Sequence, residues 1–137
     1  MELQKMFDAL AISGSGMSAE RRRLSVIAEN IAHAQDTDRG DGTPYRRKEA
    51  VFETELSGEM QGLVRVSGVN EDQRTPLEKV HLPGHPKADK DGWVTFPNVN
   101  PIFEMVDLMA ATRAYEANLQ AARVFRGMVD QTLNGLR

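Results

Sequence analysis

A chain of 137 residues can build one ordinary core, or a small domain on a helical stalk. Its net charge of −3, from 17 basic and 20 acidic residues, offers no electrostatic case for nucleic acid or an anionic membrane surface. There is no cysteine, which excludes disulfides, thiolate metal ligands and a cysteine nucleophile, and a single Trp argues against a large aromatic-lined cleft.

The first stretch, residues 1–34, reads as a long helix. Leu3, Leu10, Met17, Leu24 and Ile31 recur every seventh residue, and Met6, Ser13, Glu20, Ile27 and Ala34 fill the second position of the same heptad. Glu2 and Asp8 interrupt any apolar run at the start, so a cleaved secretory signal is not expected, and no run is long enough to cross a membrane. A destination outside the cytoplasm would require another export route. Ser13-Gly14-Ser15-Gly16 is a weak point, since each interior glycine costs a helix about 1 kcal/mol relative to alanine. It is a hinge, a place where two helices approach closely, or a break between two helices. It is not a phosphate loop, because no Gly-Lys-Ser/Thr follows it. The cluster Glu20-Arg21-Arg22-Arg23 suits a solvated helix face, or a contact with acidic residues of a neighbouring subunit. Asn30 and Ala32 are polar or small where a simple apolar seam needs neither.

The helix must stop before the Gly-rich polar loop at residues 36–44. Residues 45–56 are ambiguous between strand and helix, with Tyr45, Val51 and Phe52 favouring an extended course. Residues 62–70 alternate Val64 and Val66 with Arg65 and Ser67 and predict a strand. Residues 77–82 and 92–96 predict two further short strands, divided by the turn-rich segment from Pro83 to Gly92. The middle of the chain is therefore a small β-rich insert of three or four strands.

The last stretch starts on Asn100, a good N-cap, and Pro101, which suits the first helical position. Met105, Leu108, Thr112, Tyr115, Leu119, Ala122, Arg126, Val129, Leu133 and Leu136 alternate steps of three and four, which predicts a second long heptad helix of about 50 Å. Val106, Met109, Val124, Phe125 and Met128 add a second apolar stripe. A helix apolar on two sides needs neighbours on two sides, and one N-terminal helix covers only one. The expected fold is α+β: a discontinuous helical coiled-coil unit of residues 1–36 and 99–137, with a loop and small β-rich unit at 37–98. The residues expected to form helix-to-helix assembly contacts are Leu3, Leu10, Met17, Leu24, Ile31, Leu108, Tyr115, Leu119, Val129 and Leu133.

Nothing in the chain carries a strong enzymatic signal. His81 and His85 have a metal-like spacing, but Pro83, Gly84 and Pro86 prevent a helix across them. Asp89-Lys90-Asp91-Gly92 resembles part of a calcium loop, yet Asn98 stands where the closing glutamate belongs, so a turn before a strand is the simpler reading. Neither a metal nor a cofactor is expected.

Several segments together resemble one family, the axial rod and hook proteins of the bacterial flagellum, and within it the proximal rod proteins of the basal body. Ser15 to Glu20 and Ala28 to Thr37 (AENIAHAQDT) are similar to the N-terminal rod signature. Pro44 to Glu53 (PYRRKEAVFE) and Pro83 to Asn100 (PGHPKADKDGWVTFPNVN) resemble the proximal rod type, and Asn98 to Ala122 resembles the C-terminal signature shared by rod and hook proteins. The resemblance implies terminal helices paired near the axis of a tubular polymer, with a β-rich part further out. It implies a structural subunit of the drive shaft that carries torque from motor ring to hook, with no catalysis. The implied partners are further copies of the chain, adjoining rod proteins, an inner junction protein at the membrane-embedded motor ring, and the type III export apparatus during transit. The implied location is the periplasm-spanning rod, reached without a cleaved signal. Two other readings stand beside it: a cytoplasmic export adaptor of coiled-coil type, and a hydrolase using His81, His85 and Asp89.

Overall fold

Helices occupy both ends of the chain, as the two heptad runs require. The computed structural model describes residues 2–56, 58 and 62–137. Along the chain come α1 (Glu2–Ala32), β1 (Lys48–Glu55), β2 (Leu63–Glu71), β3 (Glu78–His81), β4 (Trp93–Phe96) and α2 (Pro101–Gly135). Met1, first in the expected helix, lies outside the described residues. The architecture is α+β: two long helices with a small antiparallel insert between them.

The two helices run antiparallel. Asn30 of α1 meets Glu104 of α2, and fourteen residues earlier on α1 Gly16 meets Asn118, fourteen residues later on α2. Their packing is the most extensive contact in the fold. α1 passes through Gly14 and Gly16 without interruption, so the predicted weak point is not a break. Gly16 has a packing reason: a Cβ built there would sit 2.9 Å from Asn118 Nδ2, so the Asn118 side chain of α2 would have to shift to admit one. At α2 the expected cap forms, with the Asn100 side chain accepting from the backbone N–H groups of Ile102 and Phe103.

Residues 48–55, open between helix and strand on sequence grounds, are extended. β1 pairs antiparallel with β2 from Lys48↔Glu71 to Glu55↔Leu63, with a bulge at Val51/Phe52. β3 pairs antiparallel with β4 from Glu78↔Phe96 to His81↔Trp93. An isolated two-stranded hairpin is marginal in water. The β1–β2 hairpin is held by packing on α1, where Ser15 Oγ accepts from Val64 N–H at 3.0 Å. The β3–β4 turn is tied by Asp89, whose Oδ1 accepts from Asp91 and Trp93 N–H, both at 2.9 Å. Gly92 takes φ +82° there, where a side chain would also press on Pro83 and His81.

The heptad count on α2 needs a correction. Leu108, Tyr115 and Ala122 are half-buried and Val129 is buried, as the seam requires. In the alternate row Leu119 is half-buried as expected, but Met105, Thr112, Arg126 and Leu133 are exposed, while one position earlier Glu104 and Ala111 are buried and Asn118, Phe125 and Thr132 are half-buried. Apolarity alone misplaces this row because α2 carries apolar side chains on both sides, and the side turned to α1 accepts small and polar residues. The interior is correspondingly light. Among the largest fully buried side chains are Glu104 and Asn30, beside Val94 and Pro97.

Candidate assembly interface

A polar cluster fixes the root of the helix pair. The side chain of Asn30 is fully buried. Its Oδ1 accepts from Tyr45 Oη at 2.8 Å and from Lys48 N–H at 2.9 Å. Its Nδ2 donates to Lys48 O at 2.9 Å and to Glu104 Oε2 at 3.2 Å. Glu104 takes a further bond from Arg47 Nε, and Arg47 also reaches Glu49. The backbone N–H of Arg47 donates to Asn98 Oδ1 at 2.7 Å, and Asn98 Nδ2 donates to the carbonyls of Asp72 and Thr75. One network therefore joins α1, the entry to β1, the loop after β2 and the start of α2. A buried carboxylate survives there because every oxygen has a partner.

The electrostatics follow from the same contacts. Burial works against the charged Arg47 guanidinium, but its bonds to Glu104 and Glu49 outweigh this and the net shift is upward. Burial also pushes the Tyr45 phenol up, reinforced by Glu29 and Glu104, so it stays a neutral donor to Asn30. Asp72, bonded by the Thr75 hydroxyl and by the Thr75 and Arg74 N–H groups, is held down to about 2. In the loop before β1, Asp38 accepts from Lys87 and from Gly40 and Gly42 N–H and is likewise held at about 2.

The polar side chains of the cluster are bonded to one another. Among the described residues, no three His, Asp or Glu side chains gather in a way that could hold a metal ion. His81 packs edge-on against Trp93, and His85 lies against Phe96 with Nδ1 accepting from Lys87 N–H. Asp89 is occupied by its turn.

What the molecule offers instead is uncovered apolar surface on α2. Ile102 and Phe103 are 72% and 69% exposed, and Met105, Val106, Met109, Val124 and Met128 between 45% and 58%. Of the residues expected to make assembly contacts, Leu3, Leu10, Met17, Leu24 and Ile31 are half-buried along α1, and Leu108, Tyr115 and Leu119 are half-buried on α2. Val129 is buried within the chain, and Leu133 is open. Sequence reasoning noticed the misfit of Asn30 in an apolar seam but not its partners Tyr45, Arg47, Asn98 and Glu104. The only local signal was a carboxylate one turn into an apolar helix.

Known proteins can be set beside this long helix pair with its exposed apolar flank. The family model described as "Flagellar basal body rod FlgEFG protein C-terminal" matches residues 90–135. The flagellar basal-body rod protein FlgC of Salmonella typhimurium is 40% identical over 134 residues, covering 97% of each chain. FlgC of Agrobacterium fabrum is 41% identical over 133 residues, covering 94% of each, and FlgC of Aquifex aeolicus is 38% identical over 131 residues, covering 95% of this chain and 96% of its own. With identity of this order running from the first helix to the last, the chain belongs to the FlgC family of flagellar basal-body rod proteins.

Proposed function

We infer that this chain is a structural subunit of the flagellar basal-body rod. The observation that carries the reading is the apolar flank of α2, left uncovered by α1 in a chain matched end to end by rod proteins. Enclosing that flank removes apolar surface from water at roughly 25 cal/mol per Å². A helix of 35 residues spreads this contact over about 50 Å, which resists shear better than a compact patch of equal area. Contacts between different surfaces of successive copies do not close and generate a filament.

In finer terms, the subunit sits in the proximal rod and carries torque without catalysis. Its neighbours are copies of itself, adjoining rod proteins and an inner junction protein at the motor ring. It reaches the rod through the type III export apparatus, without a cleaved signal and without cofactor. The assembly contacts lie on the helix faces bearing Leu3, Leu10, Met17, Leu24 and Ile31, and Leu108, Tyr115, Leu119 and Leu133, while Val129, buried within the chain, backs the α2 face from inside. The test is mass spectrometry of hook–basal bodies purified from the source bacterium. Recovery of the chain in fixed proportion to other rod components supports the reading; intact rods without it refute it. Leu133→Asp sharpens the test, because an exposed site tolerates the charge in the monomer. Soluble, helical L133D protein that is missing from basal bodies is the expected result.

A further inference from the structure

Asn30 does to β1 what a neighbouring strand would do. Its side-chain amide donates to Lys48 O and accepts from Lys48 N–H, both at 2.9 Å. In the β1–β2 ladder the carbonyls of Arg47 and Glu55 accept from Asp72 and Gly62 N–H, so odd-numbered residues of β1 turn their backbone groups to β2 and even-numbered ones turn theirs outward. Beyond Lys48 the outward groups are those of Ala50, Phe52 and Thr54, and among the described residues none of them has a partner. α1 leaves this edge open because it crosses the hairpin obliquely. It meets the outer edge of β1 at Asn30 and the outer edge of β2 at Ser15. A groove of about 400 Å³ remains beside Ala50 and Phe52, walled by Arg23, Val26 and Ile27 of α1 and by Asp107 of α2. The two faces of the hairpin differ. Ala50 and Phe52 share a face with their cross-strand partners Val69 and Val66, and α1 runs over that face. Glu49, Glu53 and Glu55 lie on the other, where Arg65 of β2 already bonds to Glu53 at 3.1 Å.

We propose that this edge takes a further strand, an extended segment of an adjoining subunit that is apolar where it faces α1 and basic where it lies beside Glu49, Glu53 and Glu55. Its backbone continues the ladder that Asn30 begins, pairing with Ala50, Phe52 and Thr54. Its apolar side chains enter the groove over Val26, Ile27 and Phe52. Its Lys or Arg side chains meet the carboxylates from the open side of β1, as Arg65 meets Glu53 from the other. β1 of a second copy does not fit this edge, because pairing would set one row of glutamates against the other. The inference rests on the rod-subunit reading for the source of the segment.

The test is amide hydrogen exchange, read residue by residue by mass spectrometry, in the free chain and in purified basal bodies. The Ala50, Phe52 and Thr54 amides should exchange quickly in the free chain and at least about tenfold more slowly in the rod, while those of Val51 and Glu53, bonded to β2, are protected in both. Fast exchange at the three outward amides in basal bodies that contain the chain overturns the added strand and leaves the rod reading intact. Protection of the same amides in the concentrated free chain overturns it in favour of a second copy. Absence of the wild-type chain from basal bodies overturns both readings. Thr54→Pro separates an added strand from cover by side chains alone, since it removes an outward N–H and touches no bond to β2. Its incorporation should fall roughly tenfold, while Thr54→Val, which keeps the N–H, is incorporated as the wild type is. Helical T54P protein incorporated as well as T54V refutes the pairing. Should T54P fail to fold, the exchange of the unaltered chain decides alone.

Discussion

Replacing Asn30 by alanine removes four hydrogen bonds at once, to Tyr45 Oη, to Glu104 Oε2, and to the N–H and C=O of Lys48. The Lys48 backbone is half-buried and regains water at small cost. Tyr45 and Glu104 are buried and cannot. Each buried polar group left without its partner costs about 1–3 kcal/mol, and Glu104 keeps its bond to Arg47, so the sum is about 3–5 kcal/mol. Domains of this size are stable by about 5–15 kcal/mol in all, so the loss is a large share. With a urea dependence of about 2 kcal/mol per molar, the unfolding midpoint should fall by about 2 M. The assay is urea denaturation of the full chain followed by helical circular dichroism, with an unchanged slope. Asn30→Asp is the companion: it places a second carboxylate beside Glu104, and its deficit should shrink as the solution is acidified. An N30A cost below about 1 kcal/mol would refute the argument that this network holds the root of the helix pair.

The two glycines of α1 should respond differently to alanine. At Gly14 nothing lies within 4 Å of an added Cβ, so Gly14→Ala should stabilise by about 0.5–1 kcal/mol. Gly16→Ala meets Asn118 at 2.9 Å and should gain less or lose; equal thermal shifts for the two variants would contradict the close approach of α2. Acid dependence follows from Asp38 and Asp72, both held at about 2 against an ordinary 3.8. A carboxylate lowered by folding contributes stability that is present above its unfolded value and lost as pH falls towards its folded one. Stability should therefore decline between about pH 4 and pH 2. Asp72→Asn, which keeps an oxygen for the Arg74 and Thr75 N–H groups, should flatten that decline in urea titrations at stepped pH, and an unchanged slope would count against the assignment.

Local pattern was enough for the elements themselves. Heptad spacing marks both helices, Asn100 and Pro101 mark where the second begins, and alternation marks β2, because each of these signals depends on neighbours within a turn or a strand pitch. The segment from Lys48 to Glu55 was not legible in this way, since its extended form depends on pairing with β2 and packing on α1. The same limit applied to the seam of α2. Positions one apart lie 100° apart on a helix, and when both rows are apolar no periodicity says which row faces the partner. That choice was made by Asn30, 74 residues before Glu104, and by Arg47, 57 residues before it. Their side chains converge only once α1, the β insert and α2 are assembled. They bury a carboxylate and so turn Met105, Val106 and Met109 outward. The sequence by itself determined two long helices and a small β insert, while the tertiary structure alone decided which apolar face stays open, because buried polar partners far apart in the chain outweigh local hydrophobic pattern.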